Sequence, residues 1–420
     1  MSASLDVWLD CDLCPMQRLG TLAHDRGQVR FHYDKTWLTQ LDIAFAIDPQ
    51  LTLDAGPFFP KPEEGNFGVF LDSSPDRWGQ TLMRRREALQ AKDEERVGRT
   101  LYSWDFLLGV QDITRQGALR FRFADSETFL ANDVLAVPPV TSLAELAVIA
   151  KELTRKHIDN LDHLRRWLAV LVAPGASLGG ARPKANYGDT TGALWIAKFP
   201  SADDDRDIGA WEGVAWQLAK QAGIDMPPAK NERLGRTGHH TFCVQRFDRT
   251  TAIGEAPGRR RFYASAMTML GKNVSEGTSY LELAEFLARR GDPDHIRADL
   301  EQLFRRVAFN VAIGNRDDHL RNHGFILAKR GWRLSPAFDV NPSIDKATHV
   351  LNIDDGDNRP SLETVLATAA FYRLTPKRAK ELIDDVVTVV GDWKAVARRA
   401  TIAAADIELT ASAFAALDAM

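Results

Sequence analysis

The 420 residues exceed what one hydrophobic core holds, since single cores stop growing at about 250–300 residues, and predict two or three packed units. Hydrophobic residues at 45% and charged residues at 26% lie near the averages of globular proteins and exclude a disordered or fibrous chain. A formal net charge of -4 excludes a surface built throughout to neutralise a phosphate backbone, although Arg84–Arg86 and Arg259–Arg261 are short basic clusters of the kind a local DNA contact uses.

No apolar run approaches the roughly 20 residues a bilayer span needs, and MSASLDVWLDCD lacks the basic start and apolar stretch of a secretion signal, so a cytoplasmic protein with no membrane partner is expected. Three cysteines cannot build a disulfide framework. Cys11 and Cys14 form one C-x-x-C with no second pair to complete a zinc site, and no metal is assigned to them.

In chain order, VRFHYD and ALRFRF alternate as short strands do, and DAGPFFPKPEEGNFG supplies turns between them. In PDRWGQTLMRRREAL, Asp76 follows a proline and precedes apolar residues at helical spacing, which predicts an N-cap and a helix. Residues 1–130 are therefore read as a β-rich subdomain. AVPPVTSLAEL reads as a linker followed by a helix, with Thr141 or Ser142 as N-cap and Glu145 near the capping-box position. LAELAVIAKEL and LDHLRRWLAVLV then carry apolar residues at three- and four-residue intervals, as a pair of helices. Residues 131–246 are read as the smaller lobe of a two-lobed α+β protein. Beyond residue 247, YLELAEFLARR, ADLEQLFRRVAFNVAIG, PKRAKELIDDVVTVVGDWKAVARRA and the Ala-rich end predict a mostly helical lobe over 247–420. A nucleotide cleft at the junction is one arrangement such lobes permit.

Four segments carry chemistry in kinase order. PGASLGGARPK (174–184) offers glycines that let backbone amides approach an anion, with Arg182 or Lys184 adding charge, although it matches no standard phosphate-loop pattern. In ALWIAKFP, Lys198 stands on an apolar strand that disfavours an ammonium unless it meets an anion. Glu212, opening WEGVAWQLAKQAGI, is the helix acid that would pair with it. NRDDHLRNHGFIL places Asp317 and Asn322 five apart behind Arg316, the R-D-x-x-x-x-N spacing in which the aspartate takes a hydroxyl proton and the asparagine holds metal. In WRLSPAFDVNPS, Asp339 is positioned to hold magnesium on nucleotide phosphates. D-F-G and A-P-E strings do not occur, which excludes an ordinary eukaryotic-type kinase.

On SLGGARPK, WIAKFP, CVQRFDR, NRDDHLRNHGFIL and LSPAFDV the chain resembles the HipA family of bacterial serine/threonine kinases, toxins of type II toxin–antitoxin modules. VRFHYDKTWL and SSPDRWG also resemble that family's N-terminal domain. The resemblance implies a β-rich subdomain packed on a two-lobed kinase that uses ATP and Mg2+. It implies Asp317 as catalytic base, Asn322 and Asp339 as metal ligands, and Lys198 on the α- and β-phosphates. It further implies a glycine loop of Ser177, Leu178, Gly179, Gly180 and Ala181 with Lys184 over the phosphates, and His319 as another nucleotide contact. Gln245, Arg246 and Phe247 would lie where backbone groups meet adenine; Gln245 replaces a frequent glutamate. Ser177 matches the loop serine whose autophosphorylation switches such kinases off, a phosphate of about -1.5 to -2 charge being repelled by those of the nucleotide. The implied partners are a separate HipB-like helix-turn-helix antitoxin, operator DNA reached mainly through it, and a protein substrate of the aminoacyl-tRNA synthetase class. Two other readings stay open from sequence: a small-molecule phosphotransferase on the same scaffold, and a corepressor acting with its antitoxin.

Overall fold

The computed structural model describes residues 3–40, 42–131, 142–154, 168, 182–234, 238–251 and 258–417. The chain divides into two compact units. The first comprises residues 1–203, 234–237 and 248–264, and the second 204–233, 238–247 and 265–420.

The first unit is built on an antiparallel sheet of order β3-β2-β1-β4, from β1 (Ala3–Leu9), β2 (Gln17–Asp25), β3 (Gln28–Tyr33) and β4 (Leu119–Phe123). The alternation in β3 has its expected effect: Val29, Phe31 and Tyr33 face the core while Gln28 and Arg30 face solvent. Helices α1 (Lys35–Leu38), α2 (Gly68–Asp72), α3 (Arg77–Asp93) and α4 (Ser103–Leu108) belong to the same unit. Asp76 does cap α3, accepting from the Gly79 amide at 2.8 Å. In the core, Phe70 packs edge to face with Phe67 and Phe121 and, with its ring tilted, against Phe31.

Buried Arg115 holds this assembly together. Its guanidinium donates to the Ser73, Leu107 and Val110 carbonyls at 2.8–3.0 Å and lies over the Phe121 ring. Members of both basic clusters make intramolecular bonds, although Arg84, Arg86 and Arg259 are exposed. Arg85 donates to the Leu153 carbonyl, Arg259 clips the Cys11, Asp12 and Cys14 carbonyls, and buried Arg260 meets Asp112.

The predicted helix after the linker is α5 (Leu143–Thr154), with Glu145 in its first turn; Thr141 lies outside the described residues. So does LDHLRRWLAVLV, apart from buried Leu168. The unit also contains the hairpin of β5 (Lys184–Gly188) and β6 (Leu194–Lys198).

The second unit contains α6 (Ile208–Gln221), capped by Asp207, and the antiparallel pair β7 (Ala229–Glu232) and β8 (Thr241–Gln245). Because α6 begins at Ile208, three residues before the stretch WEGVAWQLAKQAGI, Glu212 sits in its second turn and does not open it. After β9 (Tyr263–Ser265) the chain is mostly helical, as expected: α7 (Ala266–Met269), α8 (Tyr280–Arg290), α9 (Ile296–Ala312), α10 (Leu362–Ala367), α11 (Pro376–Gly391), α12 (Trp393–Arg399) and α13 (Ala404–Thr410). Helix α9 is the axis of the unit, burying Leu300, Leu303, Phe304, Val307 and Val311 among α8, α10 and α11. The long pattern PKRAKELIDDVVTVVGDWKAVARRA breaks at Asp392 into α11 and α12. A hairpin of β10 (Gly324–Ala328) and β11 (Gly331–Leu334) interrupts the helices directly after the R-D-x-x-x-x-N segment.

Candidate active site

The catalytic-loop segment begins where α9 must stop. Gly314 has φ 64°, and a Cβ there would stand 2.1 Å from the Ala413 carbonyl oxygen, so both the turn and the packing require glycine. The Asn315 amide returns to the Asn310 carbonyl at 2.8 Å, and its side chain donates to Asn310 Oδ1 at 3.1 Å. The chain runs through residues 316–319 into a 3-10 turn, Leu320–Asn322, and then into β10. Two further bonds hold the turn: Leu320 N–H to Ser275 Oγ at 3.1 Å, and Ala266 N–H to the His323 carbonyl at 2.8 Å.

Within this loop consecutive side chains have opposite fates. Arg316 turns inward and its guanidinium donates to the carbonyls of Ser343, Lys346 and Ser412 at 2.8–3.3 Å. Asp317 turns out, its side chain 64% exposed, and forms an ion pair with Lys346. Arg316 thus fixes the backbone of the residue whose ammonium meets Asp317. Asp318 turns in again and is fully buried. Burial alone would raise its carboxyl, but the His323 imidazole and the Tyr280 hydroxyl bonded to it overrule burial and hold it below the usual carboxylate range.

Asn322 is buried, and among the described residues its Oδ1 has no hydrogen-bond partner. A buried acceptor of this kind costs free energy unless something completes it. Asp339 has φ 58°, in the left-handed region that a non-glycine residue rarely adopts, a strain of order 1–3 kcal/mol that clusters at functional sites. Phe338 and Val340, on either side of it, line a small cavity with Asn322, Asp318 and His323. Phe338 also packs against Phe247, with ring centroids 5.4 Å apart, which brings the predicted adenine segment to the flank of Asp339. Amide and carboxylate oxygens are the ligands a hard Mg2+ ion takes, usually one or two carboxylates with water and phosphate completing its shell. The residues present fit such an ion. Among the described residues there is no cluster of three or more His, Cys, Asp or Glu that would make a protein-only metal cage.

The other predicted nucleotide residues are placed as follows. Gln245 ends β8, with its backbone amide bonded to the Pro228 carbonyl at 2.8 Å, and Arg246 is buried. His319 precedes the 3-10 turn with a buried Nδ1 that has no partner among the described residues. Glu212 is buried on α6. In the first unit, Lys198 ends β6, nearly buried, directly across the hairpin from Lys184. Two ammonium groups in register repel. Asp76 offsets that repulsion, its carboxylate 2.8 Å from Lys184 Nζ, with both side chains only 2% exposed. Lys184 thus faces a carboxylate in the interior, and phosphate contact by it would require a change of partner. Ser177, Leu178, Gly179, Gly180 and Ala181 lie outside the described residues.

Sequence reasoning missed the roles of Lys346, Tyr280, Asn310, Asp318 and His323, although Asp318 and His323 lie within NRDDHLRNHGFIL. The available signal was the doubled aspartate, one residue of which must turn inward when a loop is framed by apolar segments.

Comparison with known proteins assigns the architecture. Residues 5–101 match the HipA N-terminal domain and residues 176–393 the HipA-like C-terminal domain, the latter alone covering over half of the chain. The chain belongs to the HipA family. The serine/threonine-protein kinase toxin HipA of Shewanella oneidensis MR-1 is 25% identical over 191 residues, a stretch covering 40% of this chain and 43% of that protein. The alignment thus spans less than half the length of that relative. The structure of the S. oneidensis HipA in complex with HipB and operator DNA aligns over 98% of this chain and 95% of that one, with a TM-score of 0.69 at 18% identity. That likeness establishes an α+β HipA fold across the chain. No helix among the described residues is long and apolar enough to cross a membrane.

Proposed function

We propose that this HipA-family chain is a cytoplasmic, ATP- and magnesium-dependent serine/threonine protein kinase, the toxin of a HipA/HipB-type module. The observation that carries the reading is the division of labour in one loop: Asp317 faces outward where a macromolecular hydroxyl can reach it, while five residues on Asn322 keeps an unpartnered oxygen turned inward beside the Asp339 segment. Asp317 would orient the acceptor serine or threonine and accept its proton as the hydroxyl attacks the γ-phosphate in line, the β–γ anhydride bond breaking and ADP leaving. Lys198 would meet the α- and β-phosphates, with Glu212 as its helix acid. Residues 177–181 would cover the phosphates, and Gln245, Arg246, Phe247 and His319 would contact the rest of the nucleotide. Asn322 and Asp339 would hold magnesium, which when bound supplies charge neutralisation on the phosphates. Ser177 is the autophosphorylation site in this reading, and phosphate there drives the loop away from the nucleotide.

The HipA relative's structural complex with HipB and operator DNA supports a separate helix-turn-helix antitoxin as partner here, with DNA engaged through it. The family resemblance supports an aminoacyl-tRNA synthetase as substrate class. The test is incubation of wild-type and Asp317→Ala protein with Mg2+ and γ-labelled ATP, then mass spectrometry of the loop peptide. Label on Ser177 in the wild type alone is the expected result. No label in either, despite ATP binding, sinks the reading and favours a small-molecule phosphotransferase or a corepressor.

A further inference from the structure

The carboxylate of Asp318 is a heavily engaged buried acid of the second unit. Three donors converge on its Oδ2: Tyr280 Oη from α8 at 2.6 Å, Asn310 Nδ2 from α9 at 2.8 Å, and His323 Nε2 at 2.7 Å. Asn310 is itself oriented, because its Oδ1 is taken by Asn315 from the start of the loop. One oxygen atom thus ties the loop's entry, two helices of the unit and the residue that follows Asn322. Burying a carboxylate costs several kcal/mol unless its partners are well placed, and an apolar side chain would serve the core at no such cost. What the carboxylate gives in return is a fixed span, 318 to 323, closed across the turn that carries Asn322.

We propose that Asp318 is the positioning residue of this loop, holding Asn322 so that its unpartnered Oδ1 is presented to a divalent cation bound with nucleotide, while Asp317 stays outward. The proposal rests on the kinase reading only in taking Asn322 as a metal ligand. His323 lies next to Asn322 in sequence and, with Asp318, lines the same cavity, so a shift of either side chain moves the amide directly. Among the described residues Asp317 has no comparable anchor, its ion pair with Lys346 being exposed. The consequence is specific. Weakening the Asp318 node lowers the contribution of the metal to nucleotide binding more than it lowers nucleotide binding itself.

The experiment measures, by calorimetry, the affinity of the full chain for a non-hydrolysable ATP analogue in Mg2+ and in EDTA, for wild type, Asp318→Asn and Tyr280→Phe, with thermal melting and phosphoryl transfer measured alongside. The expected result is a loss of at least tenfold in the Mg2+-dependent gain for Asp318→Asn, with the affinity in EDTA within twofold of wild type, and an intermediate loss for Tyr280→Phe. A general loss of structure would lower both affinities together and would overturn the proposal, as would a Mg2+-dependent gain unchanged within twofold. Should Asp318→Asn fail to fold, Tyr280→Phe decides by the same criterion. A wild type that binds the analogue with Mg2+ but transfers no phosphate defeats the kinase reading and leaves this proposal standing; one that binds no nucleotide defeats both.

Discussion

Arg115 brings a full guanidinium into the interior of the first unit, where it takes up carbonyls from the end of α2, from the last turn of α4 and from the segment after it. Hydrogen bonds from a charged group are worth about 1.5–3 kcal/mol each when broken one-sidedly, and a buried carbonyl left without a donor pays its desolvation in full. Arg115→Leu is therefore expected to cost about 3–5 kcal/mol and to lower the urea midpoint accordingly; Arg115→Lys recovers little, since one ammonium cannot reproduce a planar fork. His349 shows the same principle with a titratable group. Burial pushes its imidazole down to about 4, against an ordinary value near 6.5. The unfolded chain then takes up the proton first, so acidification from about pH 6.5 to pH 4 removes on the order of 3 kcal/mol of stability, while nothing changes above that window. Asp48, raised to about 6 by burial, acts with the opposite sign. The informative quantity is the difference between wild type and His349→Gln: on acidification from pH 6.5 to pH 4 the variant's urea midpoint should gain on that of the wild type, and parallel curves would remove His349 from the acid response.

At the scale of elements, periodicity carried the sequence reading far. The strands VRFHY and LRFRF, the cap at Asp76, the helices α5, α8 and α9, and the loop between α9 and β10 follow from alternation, capping chemistry and glycine placement. What stayed hidden were pairings between side chains far apart in sequence. Nothing near Lys184 announces Asp76, and nothing near Asp318 announces Tyr280. The helix start at Ile208 was missed because Asp207, its cap, sits in the acidic run ADDDRD, where every aspartate is an equal candidate. Asp76 joins the two kinds of information, since it caps α3 and also faces the Lys184 ammonium on β5. A cap alone is worth about 1 kcal/mol. Removing one member of a buried ion pair costs about 3–5 kcal/mol. Asp76→Ala should therefore exceed the cap value several-fold in a urea titration, and Asp76→Asn, which keeps a capping oxygen, should still lose most of it. A loss near 1 kcal/mol for Asp76→Ala would mean that the pair contributes little. Combining Asp76→Asn with Lys184→Met should recover part of the stability, because no buried charge then lacks its counter-ion.

At the scale of the whole chain, the first unit is not one contiguous stretch. Residues 248–264 return to it after the chain has entered the second unit. That return supplies structural bonds that no local segment replaces: Asp248 Oδ2 accepts from the Gly117 amide at 2.8 Å, Arg260 reaches the Asp112 carbonyl at 2.6 Å, and the Arg260 carbonyl accepts from the Asp12 amide at 2.9 Å. Arg249 adds bonds to the Ile113 and Arg115 carbonyls at 3.1 and 2.9 Å. These partners flank the Arg115 node and the β1–β2 connection, so the segment closes the interior of the unit. Domain boundaries drawn along the sequence miss this, because composition does not reveal a segment that comes back. A fragment ending at residue 203 would leave buried Asp112 without the guanidinium of Arg260 and the Gly117 amide without its carboxylate, each at a cost of about 1–3 kcal/mol. Against a domain stability of about 5–15 kcal/mol, the two losses together remove a large share of the margin. Residues 1–203 expressed alone are therefore expected to retain far-ultraviolet helix and strand signal but to lose near-ultraviolet signal and a cooperative urea transition. In the full chain, Arg260→Ala should lower the midpoint by an amount equivalent to about 2–4 kcal/mol. A fragment that unfolds cooperatively at the midpoint of the full chain would show instead that the returning segment decorates a core already complete.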